Sequence, residues 1–265
     1  MLMLKKFRRK KMEIIKTDGV VIKRTSVGDN DVILTVFTEK LGVIKASAKG
    51  VKSLKSRMAA GSALFTYAEF VLKQGKTMYS VSSCEPKESF YNLATNIERL
   101  SFATYIADLT GYTVREETPD GQLMSLLLNT LYLLANSQRD LRLIKCVYEL
   151  KLLNYLGLAP DLSGCIYCQD VNNVDYISAK TGGLICPECK TPADNAKPIS
   201  EPCLIAMRYI TCSDDKRAFA FCATEAVTTE LEAHIEAFIR EHIDREFYSL
   251  QYLNMILGKT DKNLL

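Results

Sequence analysis

Four cysteines carry the sharpest chemical pattern in this chain. Cys165 and Cys168 form one C-x2-C pair, Cys186 and Cys189 a second, with seventeen residues between them. That spacing belongs to four-thiolate zinc sites, in which each tight turn presents two sulfurs and two turns complete a tetrahedron around Zn2+. Gly182, Gly183 and Pro187 suit such turns. Two redox dithiols are the alternative chemistry, but a thioredoxin-like pair opens a helix after a buried strand, a setting neither pair has. Four sulfurs leave no coordination position for water or substrate. One structural Zn2+ is therefore the expectation.

A second pattern is electrostatic. From Lys40 to Ala60 there are six basic residues and no acidic one. If Val43 to Val51 is a strand, Ile44, Ala46 and Ala48 face one way while Lys45, Ser47 and Lys49 face the other. The loop from Gly50 adds Lys52, Lys55 and Arg57 with Ser53 and Ser56. Cations interspersed with hydroxyls and free amides are what a phosphodiester backbone requires. Lys45, Lys49, Lys52, Lys55 and Arg57 are thus candidate DNA contacts, with Lys23 and Arg24 on a neighbouring strand. Phe37, Tyr67 and Tyr79 have the right chemistry to stack bases but read as core.

No catalytic constellation accompanies these patterns. Gly75-Lys76-Thr77 and Gly258-Lys259-Thr260 lack the earlier glycine of a phosphate-binding loop, since Phe70 and Leu253 occupy that position. His234 and His242 are eight apart rather than four, and are expected at the surface. The acidic residues read as solvated helix faces.

The elements that must position these groups follow from period and punctuation. Five short segments rich in Val, Ile, Thr, Tyr and Phe, from Gly19 to Ser83, are separated by turn residues and fit a small OB-fold barrel. After Pro86 apolar residues recur at helical intervals, and they resume after the cysteine segment, where Ser200 suits an N-cap with Pro202 in the first turn. The expected fold is α+β and multidomain. A basic, disordered arm (1–12) precedes an OB-fold domain (13–84) and the first part of a helical domain (85–160). An inserted zinc ribbon (161–195), the second helical part (196–255) and a C-terminal tail (256–265) complete it.

Bulk properties agree. With 48% apolar and 25% charged residues over 265 positions, the chain has the composition of a globular protein. Its net charge of +3 hides an asymmetry: residues 1–60 carry +10 and the remainder −7, as expected of a polyanion-facing N-terminal part on an acidic body. No apolar run approaches a membrane span. Cys84, Cys146, Cys203, Cys212 and Cys222 are scattered and read as small buried hydrophobes in a reducing, cytoplasmic compartment.

Three stretches resemble the bacterial RecO family of recombination mediators. "GVVIKRTSVGDNDVILTVFTEKLGVIKASAKGVKSLKSR" is similar to its N-terminal barrel. "LNYLGLAPDLSGCIYC" with "TGGLICPEC" is similar to its junction of helix and zinc site, and "HIDREFYSLQYL" to its C-terminal signature. The C-terminal segment here carries fewer positive charges than is usual for the family. The resemblance implies a non-enzymatic protein of DNA repair. It would bind single- and double-stranded DNA, anneal complementary strands, and act with RecR to load RecA onto DNA coated by single-stranded DNA-binding protein. No membrane and no small-molecule substrate are implied.

The acidic, aromatic-ended tail of that coating protein needs an apolar slot with a cation at its rim. Leu204, Ile205, Met207 and Tyr209, with Arg208, Lys216 and Arg217, are the candidates. Two other classes stay open: a zinc-dependent enzyme acting on nucleic acid, marked by metal-dependent turnover, and a protein adaptor, marked by absence of salt-dependent DNA binding.

Overall fold

The computed structural model describes residues 13–53, 55–115 and 119–259. The expected N-terminal arm and the end of the expected C-terminal tail lie outside these residues. The chain forms two compact units, one of residues up to Tyr91 with Ala107–Met124, the other of Asn92–Ile106 and Ser125 onward.

In the first unit, alternation of apolar and polar residues makes strands with one face to hide. β1 (Ile14–Val27), β2 (Asp31–Thr38), β3 (Gly42–Ala48), β4 (Thr66–Lys73) and β5 (Tyr79–Ser89) close into a barrel in the order β1-β2-β3-β5-β4. All neighbours are antiparallel except β3 and β5. This is the expected OB-fold. Val32, Leu34 and Val36 of β2 meet Ile44, Ala46 and Ala48 of β3, Phe70 and Leu72 of β4 and Val81 of β5 inside it. Each large side chain buried there contributes about 1.5–3 kcal/mol. β1 pairs with β4 along its first half and β2 along its second, and its register shifts between Val21 and Lys23. Such a bulge bends a strand enough to serve two neighbours in a closed sheet. Gly19 sits where three strands converge, and a Cβ there would lie 2.7 Å from the Phe37 carbonyl oxygen.

Two expectations shift. β3 ends at Ala48 rather than running to Val51, because Lys49 and Gly50 turn the chain. β5 continues to Ser89, past the expected change of texture at Pro86, because it pairs with β4 over that length. Phe37 and Tyr79 are core, as expected, whereas Tyr67 is half-buried and donates its hydroxyl to Glu39 Oε1 at 2.8 Å.

In the second unit a short 3-10 turn (Tyr91–Thr95) leads to helices, two of which continue into the first unit: α1 (Ile97–Thr113), α2 (Gly121–Asn136), α3 (Leu141–Tyr155), α4 (Glu201–Cys212), α5 (Asp215–Ala220), α6 (Glu225–His242) and α7 (Tyr248–Ile256). Side-chain caps fix six of these seven starts, Asn96 and Asp120 at α1 and α2 among them. Asp140, Ser200, Asp214 and Thr224 each accept a hydrogen bond from an amide two or three residues on. Between α3 and α4 lies a small sheet of β6 (Asp161–Cys165), β7 (Tyr176–Ser178), β8 (Gly183–Ile185) and β9 (Lys197–Pro198), in the order β6-β8-β7-β9.

The acidic residues are not all solvated. α3 is buried from Leu143 through Leu153, and its Lys145 is fully enclosed. Lys145 Nζ lies 3.2 Å from Glu149, 3.5 Å from Glu232 and 2.8 Å from Glu236, while Tyr105 donates to Glu149 at 2.5 Å. A buried charge persists only when paired, so this network is a single structural unit of α1, α3 and α6. His234 is also buried, and Cys212 and Cys222 are exposed, each opposite to expectation. His234 occupies the inward stripe of α6 with Leu231, Ile235 and Phe238.

Candidate nucleic-acid interface and metal centre

Three strands of the barrel arrange the cations. Lys23 pairs with Thr35, and Thr35 pairs with Lys45, so the three form one row across β1, β2 and β3. Their neighbours Leu34, Val36, Ile44 and Ala46 point inward, which sends this row outward. Lys23 and Lys45 are exposed and the Thr35 hydroxyl is partly exposed between them. Ser47 lies two positions along β3 on the same face. Arg24 stands opposite Leu34 and is exposed.

Lys49, Lys55 and Arg57 are exposed in the turns after β3. Lys52 is partly buried and donates to the Gly28 carbonyl at 3.1 Å, while its own amide donates to Asn30 O at 3.1 Å. The Gly50 amide donates to Asp31 Oδ1 at 2.8 Å. These bonds fasten the Lys49–Arg57 turns to the loop between β1 and β2, so both loops border one end of the β2–β3 face. In OB barrels that face and the β1–β2 loop are where oligonucleotides bind.

Among the described residues none of these seven cations is ion-paired. Elsewhere on the barrel, Lys16 meets Glu69 at 2.8 Å and Lys87 meets Asp18 at 2.6 Å. Two other barrel lysines are thus neutralised, while the row and its loops keep their charge. No exposed aromatic ring stands on the face of that row among the described residues, so its chemistry is that of phosphate rather than of base stacking.

The four cysteines converge as their spacing requires. All four sulfurs lie within 4.8 Å of one another, with Cys168 and Cys186 Sγ atoms 3.7 Å apart. Each pair sits in a closed turn: Gln169 N donates to Cys165 O at 2.8 Å, and Lys190 N to Cys186 O at 3.2 Å. β6 and β8 run side by side and bring the turns together. Gly182 adopts a left-handed φ of 84° in the turn. Gly183 is needed for a different reason, since a Cβ there would lie 2.7 Å from the Asp161 carbonyl oxygen. Burial opposes ionisation of Cys165, but amides of Cys168, Cys186 and Tyr167 aim at its sulfur and bring it down to about 6. Cys189 is pushed up to about 12 by the Cys186 and Cys168 thiols beside it. One thiolate is thus favoured and further ones wait for a cation. This donor set suits a thiophilic tetrahedral ion such as Zn2+.

The other proposed contacts are spread over the second unit. Leu204 and Met207 of α4 are buried, while Ile205 and Tyr209 are exposed. Arg208 donates Nε to the Leu162 carbonyl at 2.8 Å and so ties α4 to β6. Lys216 and Arg217 are exposed on α5, with Arg217 3.4 Å from Asp214. Arg208 and Lys216 line different hollows. Lys216 shares one of about 200 Å³ with Tyr132, Leu133, Arg139 and Phe219. Arg139 also borders an adjoining apolar hollow of about 170 Å³ with Leu143, Val147 and Phe221. Arg139 and Thr35 were not singled out from sequence. Alternation in "DVILTVFT" marks Thr35 as outward-facing, whereas nothing local marks Arg139.

Sequence relationships now decide the lineage. Models of the recombination protein O N-terminal and C-terminal domains match residues 12–90 and 94–251. The chain belongs to the RecO family. A DNA repair protein RecO of Acetivibrio thermocellus is 36% identical over 246 residues, covering 92% of this chain and 98% of the relative. One of Alkaliphilus metalliredigens is 35% identical over 245 residues, covering 92% and 100%. A third, of a Thermoanaerobacter species, is 30% identical over 243 residues, covering 92% and 98%. RecO membership assigns the chain a role in DNA repair and recombination. Among the described residues no helix is long and apolar enough to cross a membrane.

Proposed function

We propose that this RecO-family chain is a DNA-binding recombination mediator. It anneals complementary strands and, with RecR, helps load RecA onto single-stranded DNA coated by single-stranded DNA-binding protein. The observation that carries the reading is the unpaired cationic row and loop on the β2–β3 face of the barrel. Lys45, Lys49, Lys52, Lys55 and Arg57 hold phosphates, with Thr35 and Ser47 hydroxyls between them. Lys23 extends the row onto β1, and Arg24, opposite the inward Leu34, stands off it. Contacts of this kind are indifferent to sequence and leave base edges free. Two backbones drawn to one cationic surface repel each other less, and base pairing then supplies the favourable free energy, so no catalytic group is required.

Cys165, Cys168, Cys186 and Cys189 hold one structural Zn2+. The ion's chemistry there is only to bind four thiolates and fix the two turns. The apolar hollows bordered by Arg139 and Lys216 suit the aromatic, carboxylate-ended tail of single-stranded DNA-binding protein, with the rings of Phe219 and Phe221 as walls.

A strand-annealing assay tests the reading. Complementary oligonucleotides should pair faster with the wild-type chain, and Lys45→Glu with Lys49→Glu should remove most of that acceleration. Equal acceleration by the variant would overturn the assignment of this face. Nuclease or nucleotide turnover dependent on a divalent metal would instead indicate an enzyme.

A further inference from the structure

Cys203, Glu230 and His234 lie together, outside the four-cysteine site, and have no part in the reading above. One ligand atom from each falls within 4.8 Å of the other two. Cys203 is fully buried in the first turn of α4, where burial and the Glu230 carboxylate push its thiol up rather than favouring a thiolate. Glu230 and His234 are one turn apart on α6, with Nε2 3.7 Å from Glu230 Oε1.

A buried His–Glu pair alone is ordinary packing. Two further features set this one apart. First, His234 is 8% exposed, and its Nε2 is enclosed with no hydrogen-bond partner. The Pro198 backbone on β9 also reaches the imidazole. Metal-bound imidazoles place one nitrogen on the ion and the other on an acceptor such as a backbone oxygen. Second, the carboxylate is oriented too. Ser200 donates its amide to Glu230 Oε1 at 2.6 Å and its hydroxyl to Oε2 at 2.5 Å. Each carboxylate oxygen keeps a lone pair for a further partner. A hollow of about 180 Å³ borders His234 alone of the three, among Lys180, Lys197, Arg240 and Glu241.

We propose that Cys203, Glu230 and His234 form a second metal site, for a Zn2+-like ion, that fastens α4 to α6. Mixed sulfur, nitrogen and oxygen donors select a borderline transition ion over Mg2+ or Ca2+. Coordination forms bonds to Sγ, a Glu230 oxygen and Nε2, and the Cys203 thiol proton leaves to solvent. Three protein ligands leave a fourth position for water or an exchangeable ligand, unlike the closed four-cysteine site.

The test is zinc stoichiometry by elemental analysis of the full chain, equilibrated with excess Zn2+ and then freed of unbound ion. Two equivalents are expected in the wild type, and one in His234→Gln and in Cys203→Ala, each checked for folding by circular dichroism. Cobalt(II) titration of a chain holding one equivalent of zinc, with the second site left empty, is a second readout. It should give a single-thiolate charge-transfer band that Cys203→Ala abolishes, with affinity for the ion falling at least about 100-fold, since even an outer-shell partner is worth roughly 10–100-fold. A Cys186→Ser chain that keeps one equivalent, lost on adding His234→Gln, supports this site whatever the ribbon does. One equivalent in the saturated wild type, or a second equivalent that survives both His234→Gln and Cys203→Ala, overturns it.

Discussion

Cys186 illustrates how much one residue can carry here. It is almost fully buried at the end of β8 and has a second sulfur within 3.7 Å. Apparent binding energies in small zinc sites are on the order of 10–16 kcal/mol, far more than four short strands could contribute alone. Cys186→Ser should therefore lose one zinc per chain by elemental analysis and melt the ribbon, seen as lost protection from proteolysis between β6 and β9. Unchanged zinc content would contradict this. Lys45 makes a quieter prediction. It has no ion partner and faces outward from a rigid strand, so Lys45→Ala should leave thermal stability unchanged. The same change should flatten the dependence of log K on log salt by about 1. The four cysteines and the basic loop were legible because their signal lies in local spacing. His234 was not, because its burial depends on which face of α6 meets the rest of the second unit. Lys52 was half legible: its charge is plain in the sequence, but its bond to Gly28 depends on the barrel closing.

The helices and strands were legible from period and punctuation where each element buries one face. β2 and β3 alternate, and α3, α4 and α6 begin at capping residues that the sequence displays. α5 escaped notice because six residues are too few to show a period, and α3 misled because its charges read as a wet face. Lys145 and Glu149 are instead neutralised across α3 and α6. Lys145→Met removes the only fully buried cation of that network and leaves Glu149 without a cation, while Glu232 keeps Arg142 and Lys259. The change should cost roughly 3–5 kcal/mol in denaturant unfolding. A loss under 1 kcal/mol would mean that the network contributes little. Burial pushes the Glu149 carboxyl up from 4.5 to about 7, against the opposing pull of Lys145. A carboxyl with a raised folded value binds its proton more tightly when folded. Its contribution therefore favours the fold at low pH and declines as pH rises from about 4.5 to about 7. Glu149→Gln should flatten that part of the stability profile, and an unaltered slope would contradict the assignment.

For the whole molecule, charge is divided between a basic N-terminal sequence and an acidic remainder, and the barrel carries a row of unpaired cations across β1–β3 and the turns after β3. Such a surface should bind nucleic acid through released counterions, with little regard to sequence. Five phosphate contacts, from Lys45, Lys49, Lys52, Lys55 and Arg57, predict a log–log salt slope of about −3.5 on single strands and about −4.5 on duplex. Lys52 also fastens a loop, so the cleanest charge reversal is of Lys45, Lys49 and Lys55 together. The decisive measurement is a mobility-shift titration of a mixed-sequence single strand at 50 and 200 mM salt, with wild type and this triple variant. Wild-type affinity should fall by roughly 100-fold across that range, and the variant should bind more weakly and with a flatter slope. Wild-type binding that ignores salt, or a variant that matches the wild type at 50 mM, would contradict the claim that this face of the barrel holds the DNA backbone.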